Sequence, residues 1–418
     1  MTPRHHDRLL FPILSLCALL LLQSCGKEPA TQHMDQGECE ASSCDETPDM
    51  SQTTDMRTEP DLSGEEADMS TTPPEDMRME ADSGSVSPED APTLEDLEAA
   101  ADYSASVGGG SVLVMHRGEI LFERYDNGST EEDAFHIHSA TKAFWAPVAA
   151  ALIEDGLLEG YDMLATEVLP EWRDDPYKSQ ITLRHLMQLN AIQVQNVEEL
   201  QGECGGRDTL ADNLYTTAIQ TPVRRTPGEH FSYGPVSYYV FGEIVRRVLA
   251  PQNLTPLQYL ERRFFEPMGL TYDSWCFDKS GNPHIPNSAR ITAKQWVKWG
   301  QLILHRGAFG GEQLVSAALM EELYEPSEVN PGHGLFLWLN TPGGANYSGP
   351  TVVVQSDPSG AGGIFYRDGE PNMIVAAGAG KNRQYIFPER ELIVLRQSNE
   401  DTQNFSDHKF LSFVFGTN

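Results

Sequence analysis

Apolar residues dominate 140–154, with a long apolar helical face and Gly156 placed as a stop, so this segment is expected to be a helix. Similar periodicity predicts helices over 94–103, 182–189, 236–249, 256–265, 293–305 and 316–324, and a closing helix over 405–415. Two short apolar runs, 111–116 and 120–124, flank Arg117-Gly118 and read as a hairpin. Strand-like runs return near the end, at 363–366, 373–377, 384–387 and 392–396. Strands at both ends with helices between them predict an α+β fold: an antiparallel sheet drawn from both termini, flanked by helices, with a helical insert.

The first 97 residues follow other rules. Arg4 and Arg8 precede an apolar run, 9–22, that is short for a permanent membrane span. Leu22-Gln23-Ser24-Cys25-Gly26 follows and resembles a bacterial lipobox. That resemblance implies a signal peptide over 1–24, lipid on Cys25, and attachment at the cell envelope. Gly26 rather than Asp after the cysteine points to the outer membrane. From 25 to 97 no hydrophobic period is present, and an Asp-Met dipeptide recurs at Asp49, Asp55, Asp68 and Asp76. Such a composition buries too little apolar surface to offset chain entropy, so a disordered acidic stalk is expected. The remaining 98–418 forms the predicted catalytic domain.

Charge changes the picture in one respect. The chain of 418 residues carries a net charge of −33, and residues 26–100 hold 22 acidic against three basic side chains. The excess thus belongs mostly to the stalk, and the balance argues against nucleic acid as a partner. Four cysteines lie beyond the signal and the lipid position. Cys39 with Cys44 and Cys204 with Cys276 are possible disulfides in an oxidising compartment, although spacing alone does not fix the pairing.

Ser139-Ala140-Thr141-Lys142 is an S-x-x-K at the head of an apolar helix. A lysine three residues after a serine can reach its hydroxyl and take its proton. On spacing alone the pair reads equally well as a helix cap and a surface lysine. The chain holds two more such spacings, Ser24 to Lys27 and Ser406 to Lys409, without catalytic context. There is no G-x-S-x-G and no H-E-x-x-H. His136 and His138 share a face before Ser139, where ordinary packing is favoured over a metal pair, and no metal or organic cofactor is expected. Trp145, Trp172, Trp275 and Trp338 are expected in the core.

The surroundings favour chemistry. Phe135-His-Ile-His-Ser-Ala-Thr-Lys142, the helix ending Glu154-Asp-Gly-Leu-Leu158, Leu169-Pro-Glu171, Phe231-Ser-Tyr-Gly-Pro235, Glu266-Pro-Met-Gly-Leu270, Gly334-Leu-Phe-Leu-Trp338 and Tyr385-Ile-Phe-Pro-Glu389 occur in one order. This series resembles the class C β-lactamase and penicillin-binding-protein-like serine hydrolases, across nearly all of 100–400. The resemblance implies Ser139 as nucleophile, Lys142 as its proton partner and Tyr233 as a proton relay. A core aromatic is the alternative for Tyr233. The family's Y-x-N becomes Tyr233-Gly234-Pro235, so an amide that holds substrate or lysine is missing. A literal Tyr125-Asp126-Asn127 precedes the serine and reads as a turn.

The third family motif is K-T-G or H-x-G on an edge strand beside the serine, and no K-T-G exists here. Placed from Pro388, it falls at 377–382 with Ala379 at the Lys or His position. Gly380, Lys381 and Asn382 are then the substrate-strand candidates, with the N–H groups of Ser139 and Asn382 as oxyanion donors. Lys381 reads either as a displaced cation or, with slight preference, as a solvated lysine at a strand end. The expected activity is acyl transfer on a small-molecule or peptide ester or amide, of esterase, D-aminopeptidase or D,D-peptidase type. The alternative is a catalytically impaired lipoprotein of the same fold that binds peptidoglycan or a protein partner.

Overall fold

The computed structural model describes residues 91–192, 200, 211–341, 364–399 and 404–417. All of them fall within one unit, Ala81–Asn418. The expectations for the signal peptide, Cys25, the stalk, Cys39, Cys44 and Cys204 lie outside the described residues.

The chain enters through α1 (Leu94–Ser106), which crosses the boundary drawn at 97/98. Thr93 caps it by accepting from the Asp96 N–H at 3.2 Å, and Leu97, Ala100 and Ala101 are buried on its inner face. A hairpin follows, β1 (Ser111–His116) and β2 (Glu119–Tyr125), turning at Arg117-Gly118 where both residues have positive φ. Tyr125-Asp126-Asn127 is a turn, with the Asn127 amide donating to the carbonyls of Ala105 and Gly109.

The helical insert includes α2 (Trp145–Glu154), α3 (Val236–Leu249) and α4 (Ala293–Leu304). The predicted helix over 256–265 begins at Pro256–Leu260 under a Thr255 capping box and continues as a π-helical turn, Glu261–Phe265.

The sheet is completed by β3 (Trp338–Leu339), β4 (Ile374–Gly378), β5 (Asn382–Phe387) and β6 (Leu392–Gln397). Its order is β2-β1-β6-β5-β4-β3, with every neighbouring pair antiparallel. Strands from the two ends meet at β1 and β6, where Val112 faces Arg396 and Val114 faces Val394. The fold is therefore the predicted α+β arrangement. One strand differs: within the expected run 363–366, residues 364–366 form no strand, and β3 holds the edge. The Asn340 amide instead clasps Tyr366, donating to its carbonyl and accepting its N–H.

The chain closes with α5 (Asp407–Val414), capped by Ser406. Asp407 is fully buried against the Arg383 guanidinium at 2.6 Å and accepts from the Tyr385 hydroxyl. Arg383 carries this contact to the other side, donating to the Gly378 carbonyl at the end of β4 at 2.7 Å.

Candidate active site

Ser139 does not lie on an α-helix. Residues His138–Phe144 form a 3-10 helix that passes into α2. With three residues per turn, positions i and i+3 eclipse, so Lys142 stands directly above Ser139. Its Nζ donates to Ser139 Oγ at 2.9 Å and to the Pro286 carbonyl at 2.6 Å. His138, just before the serine, has φ of 49°, in a region seldom taken by residues other than glycine. That left-handed step turns the chain out of the short strand Phe135–His136 and places Ser139 at the mouth of the turn. The turn is tied from outside, with Ile137 N–H donating to Ala289, Ala289 N–H to the Thr141 hydroxyl and Trp299 Nε1 to Ala143.

Lys142 is buried, and burial brings its pKa down to about 7. At neutral pH a substantial fraction is therefore the free amine, the form able to accept a proton from the serine. The rings of Tyr233 and Tyr238 face the amine, with centroids 5.2 and 5.1 Å from Nζ. Tyr233 sits on the segment leading into α3, and its ring packs on Trp338 at 5.5 Å. Pro235, where the amide was expected, serves as the N-cap position of α3. His333, behind Trp338, is pushed down to about 3 by burial and stays neutral.

Strand β4 closes the other side. Gly378 allows this: a Cβ there would stand 2.0 Å from the Ile137 carbonyl oxygen and 3.0 Å from the Ala140 nitrogen. The residues of β4 that share a pocket with Ser139 are Val375, Ala376 and Ala377. Asn340 N–H bonds the Met373 carbonyl, so alternate residues of β4 direct their backbone groups to the β3 side. Val375 pairs there with Trp338. Two residues further, β3 has ended, and the Ala377 N–H and C=O point to the sheet edge beside the serine.

Lys142 thus contacts Ser139 and faces the Tyr233 ring, whereas neither Tyr233 nor the three substrate-strand candidates line the pocket at the serine. Gly380 and Lys381 form the turn between β4 and β5, both with positive φ, and the buried Arg396 holds their carbonyls at 3.0 and 2.9 Å. Lys381 is buried rather than solvated; against the upward push of burial, Arg383 first and then Lys381 hold Asp407 below the usual carboxylate range. Asn382 is fully buried; its amide donates to Ala379 and Ser398 and accepts the Ser398 N–H. It fastens the β4–β5 turn to the end of β6. Ala379 is exposed beyond the end of β4, so the third motif, aligned from Pro388, lies too late in the strand.

Pro286, Tyr238, Trp338 and the Ala377 N–H were missed. Two of these act through backbone groups, which residue identity does not mark; the glycine ending β4 was the signal that a backbone approaches there. His136 and His138 pack ring to ring at 4.0 Å, and His136 Nε2 contacts the Asn287 carbonyl. Among the described residues no group of three or more His, Cys, Asp or Glu could hold a metal. Cys276 is disulfide-bonded; Cys204, its expected partner, is outside the described residues. Trp145, Trp172, Trp275 and Trp338 are all buried, as expected.

Comparison with known proteins agrees with this architecture. The family described as Beta-lactamase matches residues 94–410. Among solved structures, a putative 6-aminohexanoate-dimer hydrolase from Bacillus anthracis superposes with a TM-score of 0.58 at 16% identity, over 75% of this chain and 80% of the other. EstCE1, a hydrolase with promiscuous acyltransferase activity, gives 0.58 at 15% identity over 77% and 97%. A penicillin-binding protein homolog from Caulobacter crescentus gives 0.56 at 17% over 77% and 95%. An uncharacterized protein of Alkalihalophilus pseudofirmus is 23% identical over 249 residues, 55% of this chain and 70% of its own length.

Proposed function

The chain belongs to the beta-lactamase family, whose members are typically serine hydrolases, and from that premise we propose that it hydrolyses an ester or amide through an acyl-enzyme on Ser139. The observation that carries this reading is the 2.9 Å contact between Ser139 Oγ and a buried Lys142 whose pKa lies near 7. Oγ attacks the carbonyl carbon while its proton passes to the neutral Nζ. The negative oxygen of the tetrahedral intermediate is received by the N–H groups of Ser139 and Ala377. The C–O or C–N bond then breaks, and the proton held on Lys142 goes to the leaving group with Tyr233 as relay. Water attacks the acyl carbon and gives a proton to the Lys142 amine, which passes it to Oγ as the acyl–Oγ bond breaks, releasing the acid, the Ser139 hydroxyl and the neutral amine.

Esterase or D-amino-acid peptidase activity fits better than β-lactam hydrolysis, because Pro235 stands in the amide position and no K-T-G is present. The same two departures support the second reading, a binding lipoprotein for peptidoglycan or a protein partner. The proposal also places the chain at the cell envelope, lipid-anchored at Cys25; support for this is the sequence 22–26. Incorporation of labelled palmitate, lost in Cys25→Ala, tests the anchor.

Intact-mass spectrometry of the full chain after treatment with a fluorophosphonate, beside Ser139→Ala, tests the chemistry. An adduct confined to the unmodified sequence is expected. A folded chain that takes no adduct would overturn the hydrolase and favour the binding protein.

A further inference from the structure

We propose that the chain carries a second binding site, where the β1–β2 and β5–β6 turns meet the end of α4, and that its ligand is a neutral saccharide. The site stands apart from the acyl-transfer reading: none of the residues lining it lines the pocket at Ser139.

Three reversals of the chain build the place. Arg117-Gly118 turns β1 into β2, and the turn 388–391 joins β5 to β6. The Arg117 N–H donates to the Glu391 carbonyl at 2.8 Å and ties the two turns together. Helix α4 ends at Leu304, and Arg306 and Gly307, both with positive φ, lead into a small hairpin that pairs Ala308–Phe309 with Glu312–Gln313. Gly310 and Gly311 form its tip with φ of 60° and 86°, and nothing stands within 4 Å of where their Cβ atoms would be. Between these parts lies a cavity of about 350 Å³. That falls in the range of small-molecule sites, roughly 300–1,000 Å³.

The lining sets the class of ligand. Its charges are balanced, with Arg117 Nε 3.4 Å from Glu391 Oε2. This is longer than the usual N–H···O bond, roughly 2.7–3.2 Å, so both groups keep capacity for a ligand. Gln301 and His305 add a carboxamide and an imidazole whose side chains have no hydrogen-bond partner among the described residues. Phe309 contributes a ring only partly buried against the core. An anion here would meet Glu391, and a cation would meet Arg117. A neutral ligand rich in hydroxyl groups suits both, because a hydroxyl donates to the carboxylate and accepts from the guanidinium. The carboxamide and the neutral imidazole each offer a donor and an acceptor to the same hydroxyls. The Phe309 ring is left for the C–H face of a sugar, which is apolar although its rim is not.

Saturation-transfer NMR on the full chain tests this with N-acetylglucosamine, diacetylchitobiose, cellobiose and maltose, beside acetate and N-acetylalanine amide as non-sugar probes. Transfer to at least one saccharide, and to neither non-sugar probe, is expected. Ser139→Ala should bind as the parent does. Arg117→Ala should weaken binding by about tenfold, the scale of a hydrogen bond to a charged group, and Gln301→Ala by less. Both should leave fluorophosphonate labelling of Ser139 unchanged. Phe309→Ala should also weaken binding; if it fails to fold, the other two variants read the same site. A folded chain that binds no saccharide, that binds one equally well in Arg117→Ala and Gln301→Ala, or that takes acetate or the amide instead overturns this inference. Labelling of Ser139 reads the hydrolase separately, so either can fail alone.

Discussion

Two S-x-x-K spacings in the described chain adopt opposite roles. At Ser406 the hydroxyl accepts from the Lys409 N–H at 3.2 Å and so caps α5, while Lys409 is exposed and lays its amine over Tyr103 and Phe413. At Ser139 the hydroxyl receives the lysine side chain rather than its backbone, and that lysine is buried. The spacing is the same and the helix geometry is not. An N-cap serine before an α-helix turns its oxygen to the backbone, whereas a 3-10 turn stacks residue three over residue zero. Chemistry at this spacing thus comes from the backbone turn and from the loss of water around the amine.

The largest effect expected from breaking the comparison is Ser139→Ala. It should lower ester turnover by ~10³-fold or more and abolish phosphonate labelling, whereas Ser406→Ala should do neither. Labelling that survives in Ser139→Ala would place the nucleophile elsewhere.

Lys142→Met separates activity from stability. Loss of a positioned base should lower kcat/KM by about 10²–10⁴-fold. In the unmodified protein the rate should climb with pH through about 7, as the amine loses its proton. Stability should move the other way on substitution. Burial lowers the folded pKa from 10.5 to about 7, so between those values the unfolded chain holds a proton that the folded chain does not. Stability therefore rises with pH across that window, and at pH 7 the lysine is a burden. At about 1.4 kcal/mol per pKa unit, its cost exceeds the two hydrogen bonds lost, about 1 kcal/mol each. Thermal melts should place Lys142→Met above the parent at pH 7, with the gap closing towards pH 10. A variant that melts lower at both pH values would show that the lysine is not desolvated in solution.

Much of the frame was legible because it depends on local chemistry. Thr182, Thr255, Thr292 and Ser406 mark helix starts as capping side chains. Arg117-Gly118 marks the hairpin, and the apolar runs at 373–377, 384–387 and 392–396 each fall on a strand within two residues. The serine and lysine were legible from spacing and surroundings together. What escaped depends on contacts distant in sequence. Trp338–Leu339 is a strand only because β4 lies beside it, and nothing in two residues announces that. The third motif was placed by counting back from Pro388, which fixes a position along the chain but not where β4 passes the serine. The Pro286 carbonyl is any carbonyl until a loop carries it to Lys142.

Gly378→Ala sharpens the contrast from the strand side. Its φ of −129° suits any residue, so the expected effect comes from contact alone. The added Cβ must displace the Ile137 carbonyl, at an expected cost of about 1–3 kcal/mol. The serine turn moves with it, and a displacement near 1 Å at a reacting group lowers kcat by about 10²-fold. Comparing kcat with the urea midpoint checks this; a loss of stability with kcat unchanged would mean that β4 yields and the turn does not.

Ser406→Ala should give the smallest effect. Losing an N-cap costs about 1 kcal/mol, and the residue keeps a second tie through its N–H, which donates to the Tyr103 hydroxyl at 2.8 Å. Thermal midpoint should fall by a few degrees with kcat/KM unchanged. The neighbouring contacts make this more than a control. Asp407 follows the cap directly, and Arg383 links it to the Gly378 carbonyl, so α5 and the serine turn share one buried chain of contacts. If capping only stabilises α5, activity at a temperature where the variant is folded stays at the parental level. If activity falls there, the cap reaches Ser139 through Arg383, and the two serines are parts of one device.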